Sequence, residues 1–465
     1  EKTGTVTAED IRFLDAECAA RGIDLVPNQN SFGHLSSWLS HPKYRHLAEA
    51  PHGFSDPWGR TRPYPFSLSP VVPEVEDFLD DLYTHLLPHF SSTRFNVGLD
   101  ETFDLGQGRS TPRIQELASA DPSNNSIHNA TGRVYLEMLE RVHRLATRHG
   151  RTMYFWSDIV QNHSELIPEL PHGVVAIEWG YEADHDFDTR CSRLSGAGIP
   201  FLVAPGTAVW NSTGGRLQTA EENIVNAVEA AVRHGGHGIL LTDWGDNGHV
   251  PPPRLSRPAI IMAAARAWNP ENSLGADRAI AWMTRYDTDE LDSHEEQQLQ
   301  SCIKTVTDLD ALAGAPTIHN ASLFGVALFT FDVPAHKPFL LNTKLATIER
   351  MKDLLMGART SLHQASLSQT ERLESIDAAL DFSIDLGLYA IELLYLHRIH
   401  GGYVEQSGDS QAEIAARAVD QLHRLDDRLV KHWNTEYRRG GLDKSRAALM
   451  KAAEHLSLPT TRTPL

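Results

Sequence analysis

Apolar positions along the first 270 or so residues follow two alternating rhythms. One is helical: Ile11, Leu14, Cys18 and Ala19 share a face of the segment Thr7 to Gly22, which opens with a capping-box pattern, Thr7-Ala-Glu-Asp10. The other is continuous: Ile23–Pro27, Arg94–Leu99, 152–156 ("TMYFW"), 173–179 ("GVVAIEW"), 199–204 ("IPFLVA") and 238–242 ("GILLT") read as buried strands. Helices are predicted between them over 74–89, 131–149, 186–196, 219–234 and 256–268.

Unbroken apolar strands alternating with helices predict a parallel sheet covered by helices. Six helix–strand units are visible, and a closed (β/α)8 barrel of the TIM type has eight. The chain opens on a helix that feeds a strand, so the expectation is a barrel lacking its first two strands, the missing pair lying before Glu1. An open doubly wound sheet is the alternative, weakened because no glycine-rich phosphate loop follows any strand. Beyond about residue 270 the pattern becomes charged and helix-periodic over 286–313 and 343–465, with 322–333 ("SLFGVALFTFDV") as a strand-like exception. The expected division is therefore a barrel over 1–272 and a mainly helical region over 273–465, which packs on the barrel or serves a homo-oligomer.

Composition narrows the function. The chain has 465 residues, 41% hydrophobic and 22% charged, with a formal charge of −19. That charge disfavours nucleic acid and anionic membranes as partners. No apolar run approaches the roughly 20 residues of a membrane helix. No signal-peptide pattern is present, which favours the cytoplasm if Glu1 is the genuine start. Cys18, Cys191 and Cys302 are too far apart for a disulfide framework or a zinc spacing. The 24 histidines lack metal-ligand spacing, so no metal or cofactor is expected. Asn211-Ser-Thr has the form of a glycosylation triplet, with nothing else to support it.

In a barrel the active site lies at the C-terminal strand ends. Read in order, these ends carry Asn28, Asn30 and His34, then Asp100 and Glu101, Trp156 and Asp158, Trp179 and Tyr181, Trp210 and Asn211, and Asp243, Trp244 and Asp246. Four of the nine tryptophans fall at equivalent places beside acids, which suggests an aromatic cup with polar hooks. Rings of this kind stack on the apolar face of a sugar while carboxylates and amides hold its hydroxyls. Two neighbouring carboxyls in one pocket cannot both ionise freely, so at least one pKa rises and a general acid becomes available. The long 39–73 segment, rich in proline and aromatics, carries Trp58, Arg60, Arg62 and Tyr64, candidates for an outer subsite or for plain surface packing.

"FNVGLDET" (95–102), "VPNQNSFGHLSSW" (26–38), "FWSD" (155–158), "IEW" (177–179) and "TDWGD" (242–246) together resemble, in order, the strand motifs of glycoside hydrolase family 20, the β-N-acetylhexosaminidases. The resemblance covers roughly residues 5–270. It implies release of terminal N-acetyl-β-hexosamine with retention, the substrate's own 2-acetamido oxygen attacking the anomeric carbon. Glu101 would be the general acid and then the base. Asp100 would orient the acetamido group. Trp156, Trp179 and Trp244 would wall the acetamido pocket, Asp246 would bond the outer hydroxyls, and His34 would orient the acid pair. Asp158 falls at the family's Trp-x-acid position. The family's strand-seven tyrosine has no match in "VAPGTAVW", leaving Tyr181 or Trp210 to take its place. Asn30 stands where the family commonly has an acid, Asp246 replaces a glutamate, and the strand-one arginine would precede Glu1. Two other readings keep the sugar. One is a conventional two-carboxylate glycosidase pairing Glu101 with Asp158 or Asp246. The other is a sugar-binding relative, or an inactive fragment, without turnover.

Overall fold

A computed structural model describes residues 4–120, 127–271, 274–287, 292–365, 376–402 and 410–460. The described residues form six short strands: β1 (Phe54–Ser55), β2 (Thr61–Arg62), β3 (Arg94–Asn96), β4 (Thr152–Trp156), β5 (Val175–Trp179) and β6 (Phe201–Ala204). The first two pair as an antiparallel hairpin, and the other four form a parallel sheet in the order β3-β4-β5-β6. Facing positions include Phe95 with Met153, Phe155 with Ala176 and Ile177 with Leu202.

The predicted outermost strands are reduced to isolated bridges. Asn28 pairs with Asn96 on one side, and Ile239 and Thr242 pair with Val203 and Gly206 on the other. Among the described residues each of these segments has a neighbour on one side only, and Ile23, Val26 and Leu240 keep 56%, 37% and 37% of their surface open. A strand without a second neighbour forms half the ladder hydrogen bonds. Six parallel segments thus stand in a row, and among the described residues no bridge joins the first to the last.

The helices between strands follow their apolar periodicity. Ala8–Ala19 has the full capping box at Thr7 and Asp10. Ile127–Arg148 buries Val134, Met138, Val142 and Leu145, spaced by three or four residues along one face. Val75–Leu86, Phe187–Gly196, Leu217–His234 and Arg257–Trp268 cover the remaining crossovers. The helix Thr111–Ala120 has no counterpart in the expected pattern.

The strand-like 322–333 stretch is a correction. Leu323–Gly325 is helical, capped by Ser322, and Val326–Thr330 continues as a π-helical turn. Every residue from Leu323 to Thr330 is buried. Burial on all sides gives a continuous apolar run in either geometry, so periodicity could not separate helix from strand. The region beyond 273 is otherwise helical, as expected, but it is not set apart by its core. One apolar cluster runs from Ala208 to Leu456 and joins the helices Leu217–His234 and Arg257–Trp268 to the later ones. A second cluster, from Phe32 to Ala231, fills the space between the sheet and the earlier helices.

Candidate active site

The strand β3 and the segment after Pro27 bring two polar loops together. Asn96 donates its backbone N–H to Pro27 O at 3.0 Å, and Ser31 donates to Val97 O at 2.9 Å. Gly98 follows with φ of 73°, and a Cβ there would lie 2.6 Å from Asn30 Oδ1. Only glycine fits both demands. Two of the next three residues take the same unusual region: φ is 77° at Leu99 and 51° at Glu101. The buried Tyr135 hydroxyl donates to Leu99 O at 3.0 Å and holds this turn. Across the gap, a Cβ on Gly33 would strike Asp100 O at 2.6 Å, so the 31–34 loop can approach only because it lacks one. Left-handed non-glycine residues gather around these strand ends: His34, Leu99, Glu101, Ala208, Asn211, Asn247 and His249. Such strain persists where the surrounding structure over-determines the backbone.

The result is a compact ionic centre. His34 Nε2 lies 3.1 Å from Asp100 Oδ2 and 3.3 Å from Glu101 Oε2. Partial desolvation opposes the imidazolium, but hydrogen bonds to Asp100 and Glu101 outweigh it and raise the His34 pKa to about 10. Asp158 sits beneath, accepting the Glu101 backbone N–H at 3.1 Å and the Trp179 indole N–H at 3.3 Å. Desolvation and the Asp100 charge push its carboxyl well above the usual range. Asp246 is raised too, by desolvation and then by Glu101, with His34 and Asn211 opposing. The sequence reading placed its raised carboxyl within the adjacent Asp100–Glu101 pair; the carboxyls that burial raises here belong to Asp158 and Asp246, which come from other loops. His34, Asp100 and Glu101 also form the one group of three among the described residues whose ligand atoms, within 4.8 Å of one another, suit a metal ion.

Beside this centre stands an aromatic wall. Trp156 and Trp244 are 5.8 Å apart between centroids, and Trp179 stacks on Tyr181 at 5.2 Å. The Trp244 indole N–H donates to the Tyr181 hydroxyl at 2.8 Å. Burial and the nearby Asp100 and Glu101 charges hold that hydroxyl in its protonated form. Trp210 differs from expectation. It is 0% exposed, its ring meets Tyr181 edge-on at 5.0 Å, and its N–H donates to Asn320 Oδ1 at 2.7 Å. It therefore backs the wall and has no surface left for a ligand. Asn211 is likewise buried, tied to Asn320 O and Asn247. Asp243 anchors Thr207 at 2.6 Å and Ser256 at 2.8 Å.

Several positioning groups escaped the sequence reading. Glu178, fully buried, accepts from Ser157 at 2.7 Å and pairs with His185 at 3.1 Å, fixing the residue between Trp156 and Asp158. Asn223 accepts from Gly206 and donates to Gly180 O and Glu182 O, tying the ends of β5 and β6. Asn320 comes from the helical region. Its only sequence signal was an Asn within a polar loop, and contact across 110 positions is invisible without the fold.

The catalytic-domain model of glycosyl hydrolase family 20 matches residues 1–231. Hexosaminidase D of Homo sapiens is 24% identical over 244 residues, 49% of this chain and 46% of that protein. Hexosaminidase D of Bos taurus is 23% identical over 248 residues, 49% of this chain and 64% of that protein. The chain thus spans about half to two thirds of the length of these relatives. Among solved structures, a β-N-acetylhexosaminidase from Bacteroides fragilis aligns with a TM-score of 0.42 at 18% identity, over 58% of this chain and 54% of that one. A chitobiase from Flavobacterium johnsoniae aligns at 0.43 and 13% identity, over 89% and 65%. The similarity of this chain to the catalytic domain of glycosyl hydrolase family 20 thus lies within residues 1–231, just under half of its length.

Proposed function

We propose that the chain releases terminal N-acetyl-β-hexosamine from a glycoside by retaining, substrate-assisted catalysis. The observation that carries this reading is the placement of Asp100 and Glu101 on one strained turn, both against His34 and both beside the tryptophan wall. In this reading Glu101 protonates the leaving oxygen and later activates water. Asp100 orients the 2-acetamido group and offsets the positive charge that develops on it. Trp156, Trp179 and Trp244 enclose that group, with the Tyr181 hydroxyl as donor to its carbonyl. Asp246 takes the outer hydroxyls.

Asp158 accepts two N–H groups, which suits a positioning carboxyl better than the second carboxylate of a conventional pair. The barrel reading belongs here as well. Both outer segments of the row carry open apolar side chains, Ile23 and Val26 in one and Leu240 in the other, at 56%, 37% and 37% exposure. Two further β/α units would cover such edges and close the ring.

The test is hydrolysis of an aryl N-acetyl-β-glucosaminide by the parent, Glu101→Gln and Asp100→Asn. Loss of a general acid or of the acetamido-orienting carboxylate lowers kcat by about 10²–10⁴-fold. Undiminished activity in Glu101→Gln would overturn the assignment. A parent that binds N-acetylglucosamine without turnover would favour the binding relative.

A further inference from the structure

The acid pair has a second aromatic group, which it reaches through His34 and which shares no ring contact with the tryptophan wall among those the described residues make. His34 meets Phe66 edge-on at 4.8 Å, Phe66 stacks on Phe103 at 5.9 Å, and Phe103 meets Trp58 edge-on at 5.0 Å. Phe103 follows Glu101 by two residues and donates its N–H back to Glu101 O. A continuous row of rings therefore leads from the proposed proton donor out to Trp58, whose indole is 40% exposed.

Trp58 is not on a loose loop. It occupies the tip of the β1–β2 hairpin, which closes around the buried Asp56 carboxylate. Asp56 Oδ1 accepts the backbone N–H groups of Trp58 at 3.1 Å and Arg60 at 2.8 Å. Oδ2 accepts Arg60 Nε at 2.8 Å and Arg62 Nε at 2.9 Å. These bonds outweigh desolvation and keep the Asp56 carboxyl below its ordinary range. The Arg60 guanidinium lies 5.5 Å from the Trp58 ring centroid. The helical region braces the tip from outside: Asp332 lies 4.0 Å from Arg60 and 3.0 Å from Lys451, and Pro334 borders Gly59.

A glycosidase must hold the groups on both sides of the bond it cleaves. If the wall of Trp156, Trp179, Tyr181 and Trp244 takes the released sugar, the ring row beyond Glu101 lies where the leaving group departs. We propose that Trp58 is a stacking platform for a leaving-group sugar, so that the preferred substrate is an oligosaccharide and not a glycoside with a small aglycone. A pyranose lays its apolar face on the indole while the Arg60 and Arg62 guanidinium groups donate to its hydroxyls. In this arrangement the helical region contributes to binding by fixing the platform's height above the acid. The inference rests on the reading of Glu101 as the proton donor.

The experiment compares binding of N-acetylglucosamine with binding of its β-1,4 disaccharide, by titration calorimetry, in the parent, Trp58→Ala and Trp58→Phe, each titrated with Glu101→Gln added so that the disaccharide is not consumed. The expected result is a parent that binds the disaccharide about tenfold tighter than the monosaccharide. Trp58→Ala abolishes that advantage and Trp58→Phe keeps part of it, with unfolding midpoints unchanged in both. A parent with no preference for the disaccharide, or a preference that survives Trp58→Ala, would overturn the proposal. Turnover of the disaccharide is measured in parallel. A disaccharide advantage lost in Trp58→Ala without any turnover in the parent leaves the platform standing and removes the hydrolase reading instead.

Discussion

The backbone N–H of Glu101 donates to the carboxylate of Asp158 at 3.1 Å, although 57 positions separate them in the chain. The residue proposed to move a proton is thus held by its main chain as well as through the His34 contact on its side chain. The other Asp158 oxygen takes the Trp179 indole N–H, so one carboxyl sets both the acid and a wall of the cup.

Replacing Asp158 separates position from charge. Asp158→Asn keeps an oxygen for the Glu101 amide and imitates the protonated carboxyl that burial favours. Asp158→Ala removes the support. The expected kcat on an aryl N-acetyl-β-glucosaminide falls about 10²-fold in the alanine variant, the cost of a misplaced catalytic group, and less than tenfold in the asparagine variant. Equal losses in the two would show that Asp158 acts through its charge.

His34 gives a pH signature. Its pKa is raised from the ordinary 6.5 to about 10 by Asp100 and Glu101 acting against desolvation. A histidine raised on folding stabilises the fold fully below pH 6.5, and the contribution declines above that value and is lost as pH passes about 10. The gap in unfolding midpoint between the parent and His34→Gln is therefore widest at pH 6 and closes by the upper end of that window. Nuclear magnetic resonance of the imidazole checks the same point directly: the His34 ring stays protonated at pH 8. A ring titrating near 6.5 would contradict the ionic centre.

Gly98 tests the turn that delivers the acid pair. Gly98→Ala must place a Cβ 2.6 Å from Asn30 Oδ1 at a φ of 73°. The left-handed backbone alone costs about 1–2 kcal/mol for a residue with a Cβ. A lower urea midpoint at unchanged m-value is expected, with activity falling further than stability because Leu99 to Glu101 shift together. A variant as stable and as active as the parent would show that the turn tolerates a relaxed geometry.

The order of elements was legible because burial leaves a mark on composition. Phe155, Ile177 and Val203 lie in buried strands and Val134, Met138 and Val142 on a buried helix face, and each pattern survives in one dimension. Edges were less legible. The 23–27 and 238–242 runs have strand composition, yet each has one neighbour among the described residues and pairs with it only through isolated bridges near the run. The 322–333 run failed for the opposite reason, since enclosure on all sides erased the period that distinguishes a helix.

The sequence by itself determined which side chains stand at the strand ends. Asp100, Glu101, Trp156, Asp158, Trp179 and Trp244 each follow an apolar run, and a parallel sheet gathers such positions along one edge. Only the tertiary structure decided how they divide the work. It enclosed Trp210 behind Tyr181, although it occupies a strand-end position like the other tryptophans. It set His34 between two carboxylates and Asp158 beneath an amide 57 positions earlier in the chain. It also carried Asn320 and Asp332 from the helical region to Trp210 and to Arg60 at the hairpin tip. Exposure, pKa and hydrogen-bond partners depend on distances between residues remote in the chain, and one-dimensional spacing does not encode those distances.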